Sequence, residues 1–279
     1  MPTKTVLVTG CSAGGIGDAL VREFHSRGLN VFAAARNVSK MAELKEIGIN
    51  ILEMDVTSSA SIEAAVEIIK QQTDNGLDLL INNAGVNHVL PFSDCSIDDF
   101  RRVIDTNVIG LLAVTHAFLP LLIKAKGTVA SIGSVNEVFN PPYQVAYNAS
   151  KAAVSTIGDT LRVELAPLGV KVVTIMTGAV KSQLFENQDA KNKLPEGSLY
   201  ALLKERIEKR DFLDHSDWTP AADYAKDVAN DLLVEKPKPV LWRGVHSSVA
   251  WWISLLGWTG MMDEPMLKRT GLKGLKAPS

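Results

Sequence analysis

Cysteine is scarce: Cys11 and Cys95 are the only two in 279 residues. Two thiols cannot by themselves build a disulfide framework or a metal knuckle, and a reducing compartment is the simpler setting for them. Histidine is scattered. His25, His88, His116, His215 and His246 include no pair at ligand spacing on one element, so no metal site is expected. Neither sign of charge is in excess: 29 Lys+Arg against 31 Asp+Glu leaves −2. The clustered cations that a nucleic-acid binder needs are missing. No uninterrupted apolar run reaches the ~20 residues that span a bilayer, and the early run Thr5–Val8 is too short for a signal-peptide core. No tandem repeat, low-complexity tract or interdomain linker is visible. What remains, 46% apolar and 22% charged residues, is the composition of an ordinary soluble globular enzyme.

Short β-branched runs alternate with longer helical patterns. Strands are expected at 5–9, 31–35, 49–54, 77–81, 128–132, 170–176 and 240–242. Helices are expected near 17–27, 38–47, 59–72, 97–125 and 146–166. Strands buried on both faces read as continuous apolar runs, and this rhythm implies a parallel sheet with right-handed crossovers. The expected architecture is one doubly wound α/β domain, a Rossmann fold, over residues 1–279. Ser96-Ile97-Asp98-Asp99 has the form of a capping box. Thr219-Pro220 offers a capping hydroxyl before a proline suited to a first helical turn. The polar, strandless stretch of about 182–218 reads as a lid insertion, and about 245–279 as a C-terminal tail.

Thr9-Gly10-Cys11-Ser12-Ala13-Gly14-Gly15-Ile16-Gly17 lies between the first strand and the first helix. A dinucleotide phosphate needs backbone N–H donors at a helix N-terminus and no side chain in the way. At the end of the second strand, where an NAD site places Asp or Glu against the ribose 2′-OH, the chain has Ala34-Ala35-Arg36-Asn37. Arg36 offers a planar cation for a 2′-phosphate, which favours NADP(H) over NAD(H). Later, Tyr147 and Lys151 are four residues apart and share one helical face. A nearby ammonium is expected to lower the pKa of the phenol. Ser134, at the end of the fifth strand, can converge on them at the carboxyl edge of the sheet.

These residues together resemble the short-chain dehydrogenase/reductase family. The matching elements, in family order, are Thr9-Gly10…Gly15-Ile16-Gly17, Asp55-Val56, Asn82-Asn83-Ala84-Gly85, Asn107, Ser134, Tyr147 and Lys151. The resemblance implies that Gly10, Ser12, Gly15, Ile16 and Gly17 border the phosphates, and that Asp55 and Val56 border the adenine. It implies that Asn83, Ala84 and Gly85 wall the ribose, and that Gly178, Val180 and Ser182 lie near the nicotinamide. It further implies that Ser134 holds the substrate oxygen, Tyr147 exchanges its proton, Lys151 binds the nicotinamide ribose, and Asn107 kinks its helix and holds a relay water. Two features depart from the pattern. Gly10 and Gly15 have four residues between them where the family has three, with Gly14 as an alternative partner. Thr177 stands where a proline is usual, which relaxes a backbone restraint. Thr177-Gly178 and Trp242-Arg243-Gly244 resemble a fungal subgroup of 1-acyl-dihydroxyacetone-phosphate reductases and secondary-metabolite carbonyl reductases.

The resulting expectation is NADPH-dependent reduction of a ketone on a bulky or lipophilic substrate, or the reverse oxidation. Two other readings are a non-redox cyclase or isomerase on the same site and an NADP(H)-sensing module. Phe139, Tyr143, Gln144, Leu184 and Phe185 are candidate substrate contacts, and His88 and Cys11 are expected to be ordinary structural residues. By resemblance the chain is expected to form a homo-oligomer. A cytoplasmic location is expected. The apolar stretch Val249–Trp258 reads first as a helix packed on the domain or over the cleft. Its second reading is a peripheral contact with endoplasmic reticulum or lipid droplets, since indole rings favour such interfaces.

Overall fold

Seven β-branched segments pair into one all-parallel sheet in a computed structural model that describes residues 3–74, 76–182, 193–210, 212 and 217–275. The strands are β1 (Thr5–Thr9), β2 (Asn30–Ala35), β3 (Asn50–Glu53), β4 (Leu79–Asn82), β5 (Thr128–Ile132), β6 (Lys171–Thr177) and β7 (Val240–Arg243). Their order is β3-β2-β1-β4-β5-β6-β7. The order reverses between β1 and β4, and such a switch point opens a crevice at the carboxyl ends of the strands.

Each face of the sheet carries its own core. On one face α1 (Ile16–Ser26) and α9 (Ala221–Leu232) bury Leu20, Val21, Phe24, Tyr224 and Val228 against β1 and β2. On the other, α3 (Ser59–Gln72) and α5 (Gly110–Ala125) bury Ile62, Ile69, Val114 and Phe118. Each such side chain contributes about 1.5–3 kcal/mol when fully buried.

The expected helix over 97–125 is one continuous rod with a defect. It runs as α4 (Ile97–Ile104), a π-helical turn over Asp105–Ile109, then α5. By length and composition it could cross a membrane, but its apolar side is core. The capping box at Ser96 is present: its Oγ accepts from Asp99 N at 3.0 Å and donates to Asp99 Oδ2 at 2.6 Å. The expected helix near 38–47 is instead a 3₁₀ turn, Val38–Met41, followed by α2 (Ala42–Glu46). The Asn37 side chain accepts from Ser39 N there and competes with an α-helical start. The cap expected at Thr219 is not formed. Pro220 is the N-cap of α9, and the Thr219 hydroxyl accepts from Val245 N at 3.0 Å instead. That loop amide needs the oxygen more than the helix does.

A third apolar cluster lies outside both layers. Leu194, Ile207 and Phe212 pack with Val89, Leu90 and Tyr143, with Leu272 at the margin. Ile207 belongs to α8 (Lys204–Lys209). The described part of the 182–218 stretch is thus anchored to the domain. Near the end of the chain, α10 (Ser247–Leu256) rests on the domain through a narrow edge, with Ser247 and Ala250 buried and Val249 at the cavity, as its first reading expected, while the rest of the helix faces outward. Trp252 is 55%, Leu256 71% and Trp258 70% exposed. The following α11 (Asp263–Thr270) returns to the domain.

Candidate active site

The crevice at the switch point is a cavity of about 990 Å³. One end is the glycine turn. Gly10 and Gly14 both have φ of +74°, which a side chain would strain, and Gly15 is the N-cap of α1 with no side-chain cap. The extra residue is therefore absorbed at Gly14, whose amide donates to Asp18 Oδ2 at 2.9 Å. A Cβ on Gly10 would stand 2.7 Å from Ala84 Cα, and one on Gly17 2.5 Å from the Gly10 oxygen. Gly10, Ser12, Gly15 and Ile16 line the cavity, whereas Gly17 stands behind the turn and lets the helix approach it. The first-turn amides of α1 lack intrahelical acceptors. An uncapped helix start facing a side-chain-free cradle fits a dinucleotide phosphate. Cys11 is fully buried and its thiol is pushed up by burial, so it is an inert packing residue.

Arg36, Asp55, Val56, Asn83, Ala84, Gly85, Gly178, Val180 and Ser182 also line the cavity. The Thr9 hydroxyl accepts from the amides of Asn83 and Ala84, and Asn83 Nδ2 donates to the Thr9 and Gly10 carbonyls. These bonds lock the β4 loop to the glycine turn. Asp55 Oδ1 accepts from both N and Oγ1 of Thr57. Among the described lining residues Asp55 is the only carboxylate, against Arg36, Lys40, Arg102, Lys151 and Arg269. A cavity of that sign suits a polyanion. Lys40 was not foreseen from sequence. It lies one helical turn past Arg36, and its carbonyl accepts from Ala13 N at 2.9 Å, which ties it to the glycine turn.

At the other end, β5 delivers Ser134 and α7 (Val145–Leu165) delivers Tyr147 and Lys151, all buried and all lining the cavity. The Ser134 hydroxyl is the polar neighbour that acts on the Tyr147 phenol. Lys151 Nζ lies 5.5 Å from the Tyr147 ring centre and donates to the Ile132 carbonyl at 2.7 Å. The expected lowering of the phenol pKa is overturned. Burial pushes Tyr147 up to about 12, with the Ser134 hydroxyl pulling the other way. The ammonium sits beside the ring, and desolvation of a phenolate outweighs the hydroxyl. Burial also pushes Lys151 down to about 8, opposed by Glu137.

Asn107 sits in the π turn and does not line the cavity. Its side chain accepts from Val86 N and donates to Val86 O and to Ser150 Oγ. Ser150 in turn donates to the Tyr147 carbonyl at 2.7 Å. The asparagine thus braces α7 between the two catalytic candidates. Thr177, in place of the family proline, bonds through Oγ1 to the Tyr224 hydroxyl at 2.6 Å. A buried hydrogen bond from β6 to α9 replaces the lost ring restraint. Gly178 next to it permits close approach, since a Cβ would stand 2.0 Å from the Val245 oxygen.

Of the candidate substrate contacts, Phe139 and Gln144 line the cavity. Tyr143 does not: it packs against Tyr200 and Phe212, and its hydroxyl donates to the Thr270 carbonyl. Leu184 and Phe185 lie outside the described residues. His88 is buried away from the cavity, with Nε2 3.8 Å from Asp99. Sequence reasoning missed Trp218, Val249, Met262, Met266 and Arg269 as lining. The i, i+4 spacing of Met262 and Met266 was the available signal.

A family model described as short chain dehydrogenase matches residues 4–193. Short-chain dehydrogenase ptmH of Penicillium ochrochloron is 37% identical, over 98% of this chain and all of that protein. An NADPH-dependent 1-acyldihydroxyacetone phosphate reductase of Schizosaccharomyces pombe is 36% identical, over 88% of this chain and 87% of its own. A solved short-chain dehydrogenase from Streptomyces avermitilis superimposes with a TM-score of 0.77 at 25% identity, covering 98% of this chain and 97% of its own. The chain belongs to the short-chain dehydrogenase/reductase family, whose members are NAD(P)-dependent oxidoreductases acting on CH–OH and C=O groups.

Proposed function

We propose that the protein uses NADPH to reduce a ketone on a bulky, lipophilic substrate. The observation that carries this is a buried phenol held neutral beside a serine hydroxyl and an ammonium, in the same cavity as the glycine turn. A protonated phenol can donate to a developing alkoxide, and the same group takes the proton back in the reverse oxidation. When bound, the dinucleotide supplies a hydride to the carbonyl carbon. In this reading Ser134 and Tyr147 hold the carbonyl oxygen by hydrogen bonds, and Tyr147 gives it a proton as negative charge develops. Lys151 stabilises the resulting phenolate. Asn107 fixes the helix that carries both. Arg36 and Lys40 grip the 2′-phosphate.

Phe139, Trp218, Val249, Met262 and Met266 give the substrate end an apolar wall, which supports a lipophilic ketone. Assays of a ketone panel with NADPH and NADH in parallel test this reading. Turnover without NADPH oxidation, or equal use of both cofactors, would contradict it.

We also infer a peripheral lipid contact for a cytoplasmic protein. No Asp, Glu, Lys or Arg occurs between Arg243 and Asp263. Trp252, Leu255, Leu256 and Trp258 are exposed in that interval, while Val249 and Met262 reach the cavity. Indole and leucine side chains so placed favour a headgroup–acyl boundary. Co-sedimentation of the full chain with phosphatidylcholine–phosphatidylserine vesicles supports this contact. A dimer that covers the tryptophans, seen by light scattering, opposes it.

A further inference from the structure

Glu137 is a carboxylate that the proposed chemistry leaves unused. It lies on α6 (Asn136–Phe139), a short helix that sequence analysis did not foresee, three residues beyond Ser134. Its amide donates to the Ser134 carbonyl at 3.3 Å. Its Oε2 accepts a short hydrogen bond from Ser155 Oγ. Ser155 is one turn beyond Lys151 on the same face of α7. The carboxylate is therefore pinned between the residue that follows the catalytic strand and the helix that carries the lysine. It does not line the cavity, so it touches neither substrate nor cofactor.

Lys151 has an evident need for such a neighbour. Its ammonium is buried, and its one described hydrogen bond goes to a neutral carbonyl, that of Ile132. A buried charge without a counter-charge gives up its proton rather than pay for desolvation. We propose that Glu137 is a positioning residue whose carboxylate, held by Ser155, is the counter-charge that keeps Lys151 protonated at the pH where Tyr147 works. This rests on the catalytic reading of Tyr147 and Lys151 given above.

The surrounding groups are consistent with that role. Burial pushes the Glu137 carboxyl up and the Ser155 hydrogen bond pulls it down, while Asp159 and Lys151 on α7 act on it with opposite signs. β6 offers only the Met176 sulfur, 3.7 Å from Ser155 Oγ. α10, which packs on α6, carries no ionisable side chain. Tyr147, on the other side of Lys151, is neutral. Among the described residues no carboxylate forms an ion pair with Lys151; Glu137, tied to Ser155 one turn along the same helix face, is the one placed to offset burial of the ammonium.

The test uses the full chain with NADPH and any ketone it turns over, and reads kcat/KM against pH. In Glu137→Gln the alkaline limb should move to lower pH by on the order of one unit, as expected on removing an adjacent opposite charge. Glu137→Asp should bring it back towards the wild-type position. Ser155→Ala, which keeps the charge but frees it, should move the limb in the same direction by less, and it serves where Glu137→Gln does not fold. A uniform drop in kcat with an unmoved limb in every folded variant would mean that Glu137 only packs α6, and the proposal would fail. Lys151→Met separates this from the reading beneath it. Full activity in that variant would remove the lysine from catalysis, whereas loss of activity with an immobile limb in Glu137→Gln would defeat Glu137 alone.

Discussion

Gly10 and Gly17 work in a space where a single methyl group does not fit, whereas Trp252 and Leu256 sit on a helix that buries only Ser247 and Ala250, and Trp258 just past its end is exposed too. Both regions border the same cavity. The first is closed by backbone against backbone, with Asn83 and Thr9 stitching the β4 loop to the glycine turn. The second is a wall of side chains, Trp218, Val249 and the thioethers Met262 and Met266, with the exposed face of α10 outside it. A cradle that is already rigid binds its ligand at little ordering cost of its own. A wall containing Met262 and Met266 adapts to ligands of different shape. The difference places a rigid cradle at one end of the cavity and an adaptable apolar wall at the other.

The largest expected effect tests whether chemistry belongs to the rigid end. Tyr147→Phe should lower kcat by about 10²–10⁴-fold, the range for a lost general acid, with little change in NADPH affinity measured by fluorescence titration. An unchanged kcat would remove the phenol from the reaction. Next comes the cradle. A methyl at Gly17 would lie 2.5 Å from the Gly10 carbonyl and 2.6 Å from Asn83 Nδ2. Gly17→Ala should cost about 1–3 kcal/mol in urea unfolding, as overpacking does, and should weaken both cofactors. Arg36→Ala sharpens the comparison further. It should raise the Kd for NADPH by about 10–100-fold, the worth of a lost charge-assisted bond, and leave NADH binding nearly unchanged. Equal losses would mean that the arginine does not read the 2′-phosphate. The smallest effect belongs to the flexible end. Trp252→Ser with Leu256→Ser should alter stability by less than about 0.5 kcal/mol, since both side chains are exposed, yet should abolish vesicle co-sedimentation. A large loss of stability would show that this face is packed in solution.

Much of the site was legible because its residues are defined by local pattern. The glycine turn needs only a strand before it and a helix after it. Tyr147 and Lys151 need only helical spacing, and Ser134 only the end of a strand. The distortion at Asn107 was legible only through the family resemblance, and the short helix α6 left no trace, because each is a local feature stabilised by distant groups: Val86 and Ser150 in one case, Ser155 in the other. The cap expected at Thr219 failed for the same reason, since a loop amide at Val245 took the hydroxyl. Tyr143 was read as a substrate contact from its nearness in sequence to Tyr147. The structure turns it into the cluster with Phe212 and Tyr200.

The order of strands and helices along the chain, the glycine turn, the absence of a carboxylate after β2 and the candidate trio of Ser134, Tyr147 and Lys151 were all determined by the chain's own residue pattern. Periodicity and glycine placement are local properties, and a sequence displays them directly. The burial of Tyr147 and Lys151, the hydrogen bond that ties Glu137 to Ser155 and the apolar wall from Trp218 to Met266 were decided only by the tertiary structure. Each depends on burial or on contact between segments far apart in the chain, and neither desolvation nor a long-range field exists until the chain has packed.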